Sequence, residues 1–541
     1  MRIRHLIARH LGHRRRIDET RLVRRRTQLA GRRASRQYQH RRNGAVPDPF
    51  HVLTALFVLF SSATIPATSH AKAQDAYPPI VPIATERSTS QPAGAPVPLS
   101  LTDAVALALR ENRDIRSAYL SRIVQKFDLV VARSDFWPKV GISANVSARR
   151  ADGTTYADSS VTPRVALRTT TGATVDFTWQ RRDRLEPGPH LADETATFLI
   201  SQPLLRGAGF DVNLAPLRIA RLQEQINQLN LKTTVSNIVS AIIVAYRTLV
   251  QSQEQVRLAE LSLERARDLL TTNRALIAAG RMPAADIVQT ESQVANQEVA
   301  MLQARQQKIS AQLALIQLLA LDSRTNILAA DAIQASHVDI DMDRLIQLGL
   351  SSRMDVLAQS KALEISRQAV SLARNNRLWD LRVTGSITQE RGLDTPAGAI
   401  DSRTDKAIGI QLGIPISGDL SGRQGEIQAT IGLRNAEIAY EGLVQSAELQ
   451  IRDGVQSVEA SWLQLEAARR ARALAARALE LQQEKLKVGR ASNFEVLSFQ
   501  ADLRAADTQE LAASIAYLNA LTALDQQVGN TLKTWRISLN D

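Results

Sequence analysis

Between Pro216 and Gly280 the chain runs for 63 residues without a glycine or a proline. No other feature constrains its fold as much. An unbroken helix of that length reaches ~95 Å at ~1.5 Å per residue, far more than a small domain can enclose. Apolar residues recur in it every seven positions, at Val235, Ile242, Leu249, Val256, Leu263, Leu270 and Ile277. Three positions after the first six stand Ile238, Ala245, Ser252, Ala259, Ala266 and Asn273, most of them small. A seven-residue repeat kept over this distance imposes a left-handed supercoil, and small residues in the second row let a neighbouring helix approach. A second row of the same period runs Ala460, Ala467, Leu474, Leu481 and Val488, and 284–321 and 490–528 also lack Gly and Pro. Aromatics make up only 4% of the 541 residues, which fits long helices better than one globular β core.

Other stretches alternate strictly. Val140, Ile142, Ala144, Val146 and Ala148 alternate with Gly141, Ser143, Asn145, Ser147 and Arg149. The same holds for Ala173, Val175, Phe177 and Trp179, and for Ile408, Ile410, Leu412 and Ile414. Period two gives a strand one apolar and one polar face. Nine or ten such residues suit a transmembrane strand, with lipid on one side and a wet lumen on the other. A soluble sheet with one hydrated face has the same pattern.

Charge and leader go together. Sixteen of the 67 Lys and Arg but only three of the 54 acids lie in residues 1–73, which leaves 51 of each sign beyond them. The net charge of +13 is therefore no nucleic-acid footprint on the body. The Arg-rich stretch leads into an apolar run, Val52 to Phe60, and then to Ala71-Lys72-Ala73. That order reads as a secretory signal peptide over 1–73 with an extended basic region, cleaved after Ala73. A Pro- and Ser-rich linker follows over 74–98. There are no cysteines, so disulfides, thiolate metal sites and a lipidated N-terminal cysteine are excluded.

The body repeats itself. Asp114-Ile115 matches Asp355-Val356 and Ala132-Arg133 matches Ala373-Arg374, while Trp137 and Trp379 each precede a strand pattern. Gly280-Arg281 followed by Asp286-Ile287-Val288 matches Gly489-Arg490 followed by Glu495-Val496-Leu497. The spacing divides the chain into a first repeat over 99–335, a second over 336–530 and a tail over 531–541. Strands are expected at 140–205 and 381–416, and long helical hairpins at 213–321 and 420–528. The first half carries more β sequence, with Val165–Thr170 and Ala173–Trp179 around Thr171-Gly172 resembling an extra hairpin. Four to six strands are too few to enclose a wide pore, and lipid tolerates no open sheet edge. Several chains must therefore share one barrel, continued by their helices as a coiled-coil tube.

This arrangement resembles the TolC family of outer-membrane efflux and secretion channels over essentially all of 99–530. Leu101–Leu109 and Asn112–Ile115 resemble the family's start, and Phe136-Trp137-Pro138 its first helix-to-strand junction. Gln202-Pro203-Leu204-Leu205-Arg206-Gly207 resembles its return from barrel to helix, and Gly413-Ile414-Pro415-Ile416 with Gly418 the matching return. The resemblance implies a mixed α and β membrane protein: a homotrimer with a shared twelve-stranded barrel in outer-membrane lipid and a periplasmic helical tunnel. It further implies docking to a periplasmic adaptor protein and an inner-membrane pump, with no cofactor.

Individual residues carry two readings each. Gly280 and Gly489 are helix-closing C-cap glycines; the resemblance adds that they and Arg281 and Arg490 form the tip that meets the adaptor. Asp286 and Glu495 are acids near helix N-termini; the resemblance makes them the acids of a constricted tunnel entrance. Its other acidic position falls on Ser498. Trp137 and Trp379 suit a membrane-interface belt as well as a core. Catalysis finds little support, because only His190 and His337 follow the leader and each stands alone. Two other classes compete with a passive channel. A periplasmic coiled-coil adaptor or receptor is countered by the alternating strands and the missing membrane helix. An exported hydrolase lacks a nucleophile and base.

Overall fold

Polar residues at the breaks between helices decide where each element begins. The Ser100 hydroxyl accepts from the Asp103 amide at 3.1 Å and opens α1 (Leu101–Glu111). Asn112 then ends α1 and caps α2 (Arg113–Ser134), accepting from the Asp114 and Ile115 amides at 2.9 and 3.1 Å. The computed structural model describes residues 96–539 except 152–153, 186–190, 393–400, 417–419 and 489, all within the unit Ala93–Asp541. The leader over 1–73, the linker to residue 95, His190, Gly418 and Gly489 lie outside the described residues.

The chain continues through strands β2 (Lys139–Ala151), β3 (Thr154–Arg168), β4 (Thr174–Leu185) and β5 (Leu191–Pro203). After a single turn, α3 (Phe210–Asn213), come the long α4 (Ala215–Ala278) and α5 (Asp286–Leu318). The second half follows the same order: α6 (Met342–Ser352), α7 (Met354–Asn376), β7 (Asp380–Gly392), β8 (Asp401–Gly413), α8 (Ser421–Lys487) and α9 (Asn493–Gln527). Two short strands, β1 (Val97–Leu99) and β6 (Ile327–Ala329), pair in parallel. The end of the stretch read as an unstructured linker is thus a strand. The tail is not loose either. It forms α10 (Thr531–Thr534), with Leu532 buried and Trp535, Ile537 and Leu539 against the core.

One core gathers Val235, Val239, Ile242, Tyr246 and Leu249 of α4 with Ala104 and Val105 of α1 and Leu315 of α5. A second gathers Ile451, Val455, Val458 and Leu465 of α8 with Tyr517 and Leu524 of α9. The period-seven row on α4 is confirmed as a packed seam at Val235, Ile242, Leu249 and Leu263, which are buried. The row expected on α8 is corrected. Leu474, Leu481 and Val488 are exposed, and the packed row runs instead through Ile451, Val458, Leu465, Leu479 and Leu486. Both rows have period seven, so period alone could not tell the inner from the outer. By length and composition alone, α4 is long and apolar enough to cross a membrane, where the sequence reading counted no membrane helix. Its apolar residues are those of the first core, which is why that helix is so apolar.

The buried Arg122 guanidinium grips the Glu224 carboxylate through both nitrogens, at 2.9 and 2.5 Å, joining α2 to α4. Arg247 of α4 donates to the Leu518 carbonyl at 2.6 Å and to Thr522 Oγ1 at 2.7 Å of α9, and burial lowers its pKa to about 10.

Candidate tunnel entrance and membrane wall

At the far end of the helices, α4 closes on Gly280, whose φ is +69°. The Gly280 amide donates to the Ile277 carbonyl and the Arg281 amide to Leu276, each at 2.9 Å. This is the paired bonding by which a left-handed residue ends a helix, a conformation that costs glycine least. In the second half Arg490 donates to the Lys485 carbonyl at 2.8 Å, the equivalent outer bond. Asp286 opens α5, and Glu495 stands in the first turn of α9. Glu495 completes a capping box: the Ser492 hydroxyl accepts from the Glu495 amide at 3.2 Å, and Glu495 Oε2 accepts from the Ser492 amide at 2.8 Å. That amide, followed by the Ser492 side chain and Gln482, holds the Glu495 carboxyl below the usual carboxylate range.

The two helix starts are neighbours. Asn493 Nδ2 lies 3.5 Å from the Asp286 carbonyl. Behind them sits a polar cluster that the sequence reading passed over. Asn273 of α4, Thr290 of α5 and Asn493 of α9 are all buried. Asn273 Nδ2 donates to Thr290 Oγ1 at 2.9 Å and to Asn493 Oδ1 at 2.7 Å, and Asn493 Nδ2 donates to Thr290 Oγ1 at 3.0 Å. The signal was present: Asn273 occupies the second heptad row, where a polar residue commonly fixes register. Beside the cluster, Ala285, Val288, Gln289, Phe494, Leu497 and Ser498 line a groove of about 660 Å³.

At the other end the six long strands form one antiparallel sheet in the order β2-β3-β4-β5-β7-β8. Paired residues of an antiparallel sheet share a face. The row Val140, Val165, Phe177, Phe198 and Ile387 crosses five strands on one face. One residue along, Gly141, Arg164, Thr178, Thr197 and Thr388 cross on the other. Arg164 pairs with Asp176 on that polar face. One side thus suits hydrocarbon and the other water. Trp137 and Trp379 are 56% and 54% exposed where α2 meets β2 and α7 meets β7; neither is a core residue.

The helices beside the sheet run in the order α2, α4, α7, α8. α2 exposes Leu120, Ile123, Val124, Phe127 and Val131, which share one helical face. α8 exposes Ile427, Ile431 and Ile438.

Comparisons with known proteins bear on this arrangement of one six-stranded sheet and long paired helices. Residues 104–321 match the family model described as outer membrane efflux protein. The outer membrane efflux protein BepC of Brucella suis is 24% identical over 439 residues, covering 78% of this chain and 85% of BepC. Among solved structures, the fold matches the Campylobacter jejuni CmeC outer membrane channel with a TM-score of 0.61 and 17% identity, over 80% of this chain and 86% of CmeC. It matches the outer membrane protein VceC of Vibrio cholerae with a TM-score of 0.62 and 16% identity, over 79% and 96%. The chain is thus similar to outer-membrane efflux proteins in sequence over 104–321 and shares the fold of solved outer-membrane channels.

Proposed function

We propose that three copies of the chain form the passive exit duct of a tripartite efflux or type I secretion system. Their sheets join into one barrel, and their helices continue it as a periplasmic tunnel. The observation that carries this is a pair of open edges. β2 ends the sheet on one side and β8 on the other, and the flanking helices α2 and α8 are the outermost of the helical layer. Each edge therefore continues from sheet into helix. An edge in hydrocarbon has no water to satisfy its amides and carbonyls, so both need partners. The two edges differ, so contact between copies is head-to-tail, a contact that closes into a ring when the rotation from copy to copy divides a full turn. The exposed row on α8 and the exposed apolar face of α2 supply a helical seam for the same contact. Three is the number the family resemblance implies. The shared element order of the two halves supports an internal duplication.

In this reading Gly280, Arg281, Gly489 and Arg490 form the tip that meets a periplasmic adaptor, and an inner-membrane pump supplies the energy. Asp286 and Glu495 line the entrance, six carboxylates in a trimer. Trp137 and Trp379 anchor the barrel rim in the lipid interface. The rival reading, a periplasmic adaptor or receptor, gives the apolar sheet face no role. The test is electrophoresis of unheated outer membranes with single-channel recording in planar bilayers. A heat-sensitive trimer that conducts supports the reading; a soluble monomer in the periplasmic fraction contradicts it.

A further inference from the structure

The sheet has six strands where a twelve-stranded barrel of three chains needs four. The additional pair is β3 and β4, inserted between β2 and β5, which would otherwise be neighbours. Three properties make it part of the wall. First, its register is continuous. β3 is paired to β2 over thirteen residues, from Lys139↔Ala166 to Ala151↔Thr154, and β4 to β5 over eleven residues, from Thr174↔Ser201 to Arg184↔Leu191. Second, its alternation is in phase with its neighbours. Val165 and Phe177 continue the apolar row from Val140 to Phe198, while Arg164 and Thr178 continue the polar row. A hairpin folded into the lumen would have water on both faces and no use for Val161, Val165, Val175, Phe177 and Trp179 on one of them. Third, it is long enough. β3 has 15 residues and β4 has 12. At ~3.4 Å per residue and a tilt of ~40°, twelve residues cover roughly 30 Å, more than the ~25 Å apolar band of a barrel.

The inner turn of the hairpin is fastened to the junction where the wall returns to α4. Gly172 has φ +96°, and a Cβ there would stand 2.3 Å from the Gly207 carbonyl oxygen. The Gly209 amide donates to the Thr171 carbonyl at 3.1 Å. Asn213 Nδ2 donates to the carbonyls of Gly207 and Gly209, each at 2.8 Å, and Arg168 Nη2 donates to Asn213 Oδ1 at 2.8 Å.

We propose that the β3–β4 hairpin is a full member of the barrel wall, so that three chains close an exit of eighteen strands. This rests on the three-chain reading above. Strands ~4.8 Å apart and tilted ~40° each take about 6.2 Å of circumference. Eighteen enclose a backbone diameter of about 36 Å and twelve about 24 Å, since diameter grows with strand number. The hairpin thereby sets the girth of cargo that leaves the cell. With side chains pointing inward, the wider exit clears a helical polypeptide of about 10–12 Å with room to spare.

The chain has no cysteines, so single thiols can be read without background. T162C and T178C lie on the polar face, and V165C and F177C on the apolar face. Each is assembled in outer membranes and treated with a membrane-impermeant maleimide, then with a lipid-soluble one. The same samples are sized by mass photometry. The proposal expects trimers in which the polar-face thiols react at least tenfold faster with the impermeant reagent and the apolar-face thiols react only with the lipid-soluble one. Trimers in which all four thiols react from water overturn it and return the wall to twelve strands, leaving the three-chain reading intact. A different copy number overturns the three-chain reading and the count of eighteen with it, whatever the thiols report.

Discussion

Removing the Asn273 side chain is expected to loosen the periplasmic tip far more than any exposed substitution nearby. Asn273→Ala deletes two hydrogen bonds, to Thr290 Oγ1 and Asn493 Oδ1, both partners being buried. Each bond contributes about 0.5–1.5 kcal/mol net, and the stranded Asn493 carbonyl costs a further 1–3 kcal/mol or so. Thr290 keeps a contact to the Asp286 carbonyl at 3.3 Å, so its hydroxyl is not orphaned. The sum is about 2–6 kcal/mol, a roughly 30- to 20,000-fold rise in local opening at about 1.4 kcal/mol per decade. Amide hydrogen exchange of the detergent-purified protein, followed by mass spectrometry, reads that opening directly. The increase is confined to the end of α4 and the starts of α5 and α9. Replacing both amides together, Asn273→Leu with Asn493→Leu, removes donor and acceptor at once and recovers much of the loss. A change of less than about threefold in Asn273→Ala would refute the claim that this cluster ties the two hairpins together.

Other consequences concern the seam and the charges. Leu465 is 0% and Leu474 69% exposed. Leu465→Ala is therefore expected to cost a few kcal/mol, about 2–5, in chemical denaturation, whereas Leu474→Ala spares the chain fold and lowers only the heat resistance of the trimer. Burial raises the Asp525 carboxyl above its ordinary range, against opposing hydrogen bonds from Thr534 and Asn530. A raised folded-state pKa means stability is greatest below the unfolded value and falls as pH climbs through the raised one; Asp525→Asn flattens that slope in melting curves. Asp286→Asn with Glu495→Gln is expected to weaken block by multivalent cations in single-channel records without unfolding the tip, and unchanged block would remove these acids from the entrance.

Much of this was legible in the residues. Period seven without Gly or Pro gave α4 its length, and period two gave the strands their faces, because both signals are local. The Gly280 turn was legible because a left-handed helix end favours glycine. The choice between two period-seven rows on α8 was not, since Leu474 and Leu465 differ only in what lies opposite. Glu495 was legible as an acid near a helix start; its capping partners Ser492 and Gln482 needed coordinates, the latter lying across the turn. Asn273 counted as a small residue in a heptad row, and its role depends on Thr290 and Asn493, the latter 220 residues away. The hairpin around Gly172 was visible as a pattern, but its place between β2 and β5 is a matter of pairing.

The central claim is that β2 of one copy seals against β8 of the next. Disulfide formation between a cysteine at Val140, Ile142 or Val146 and one at Ile408, Ile410 or Leu412, in outer membranes of cells making the double variants, tests it most directly. The account predicts at least one register that yields covalent dimers and trimers and nothing larger. It is contradicted if every combination stays monomeric while the protein still conducts, or if the ladder of products runs beyond three.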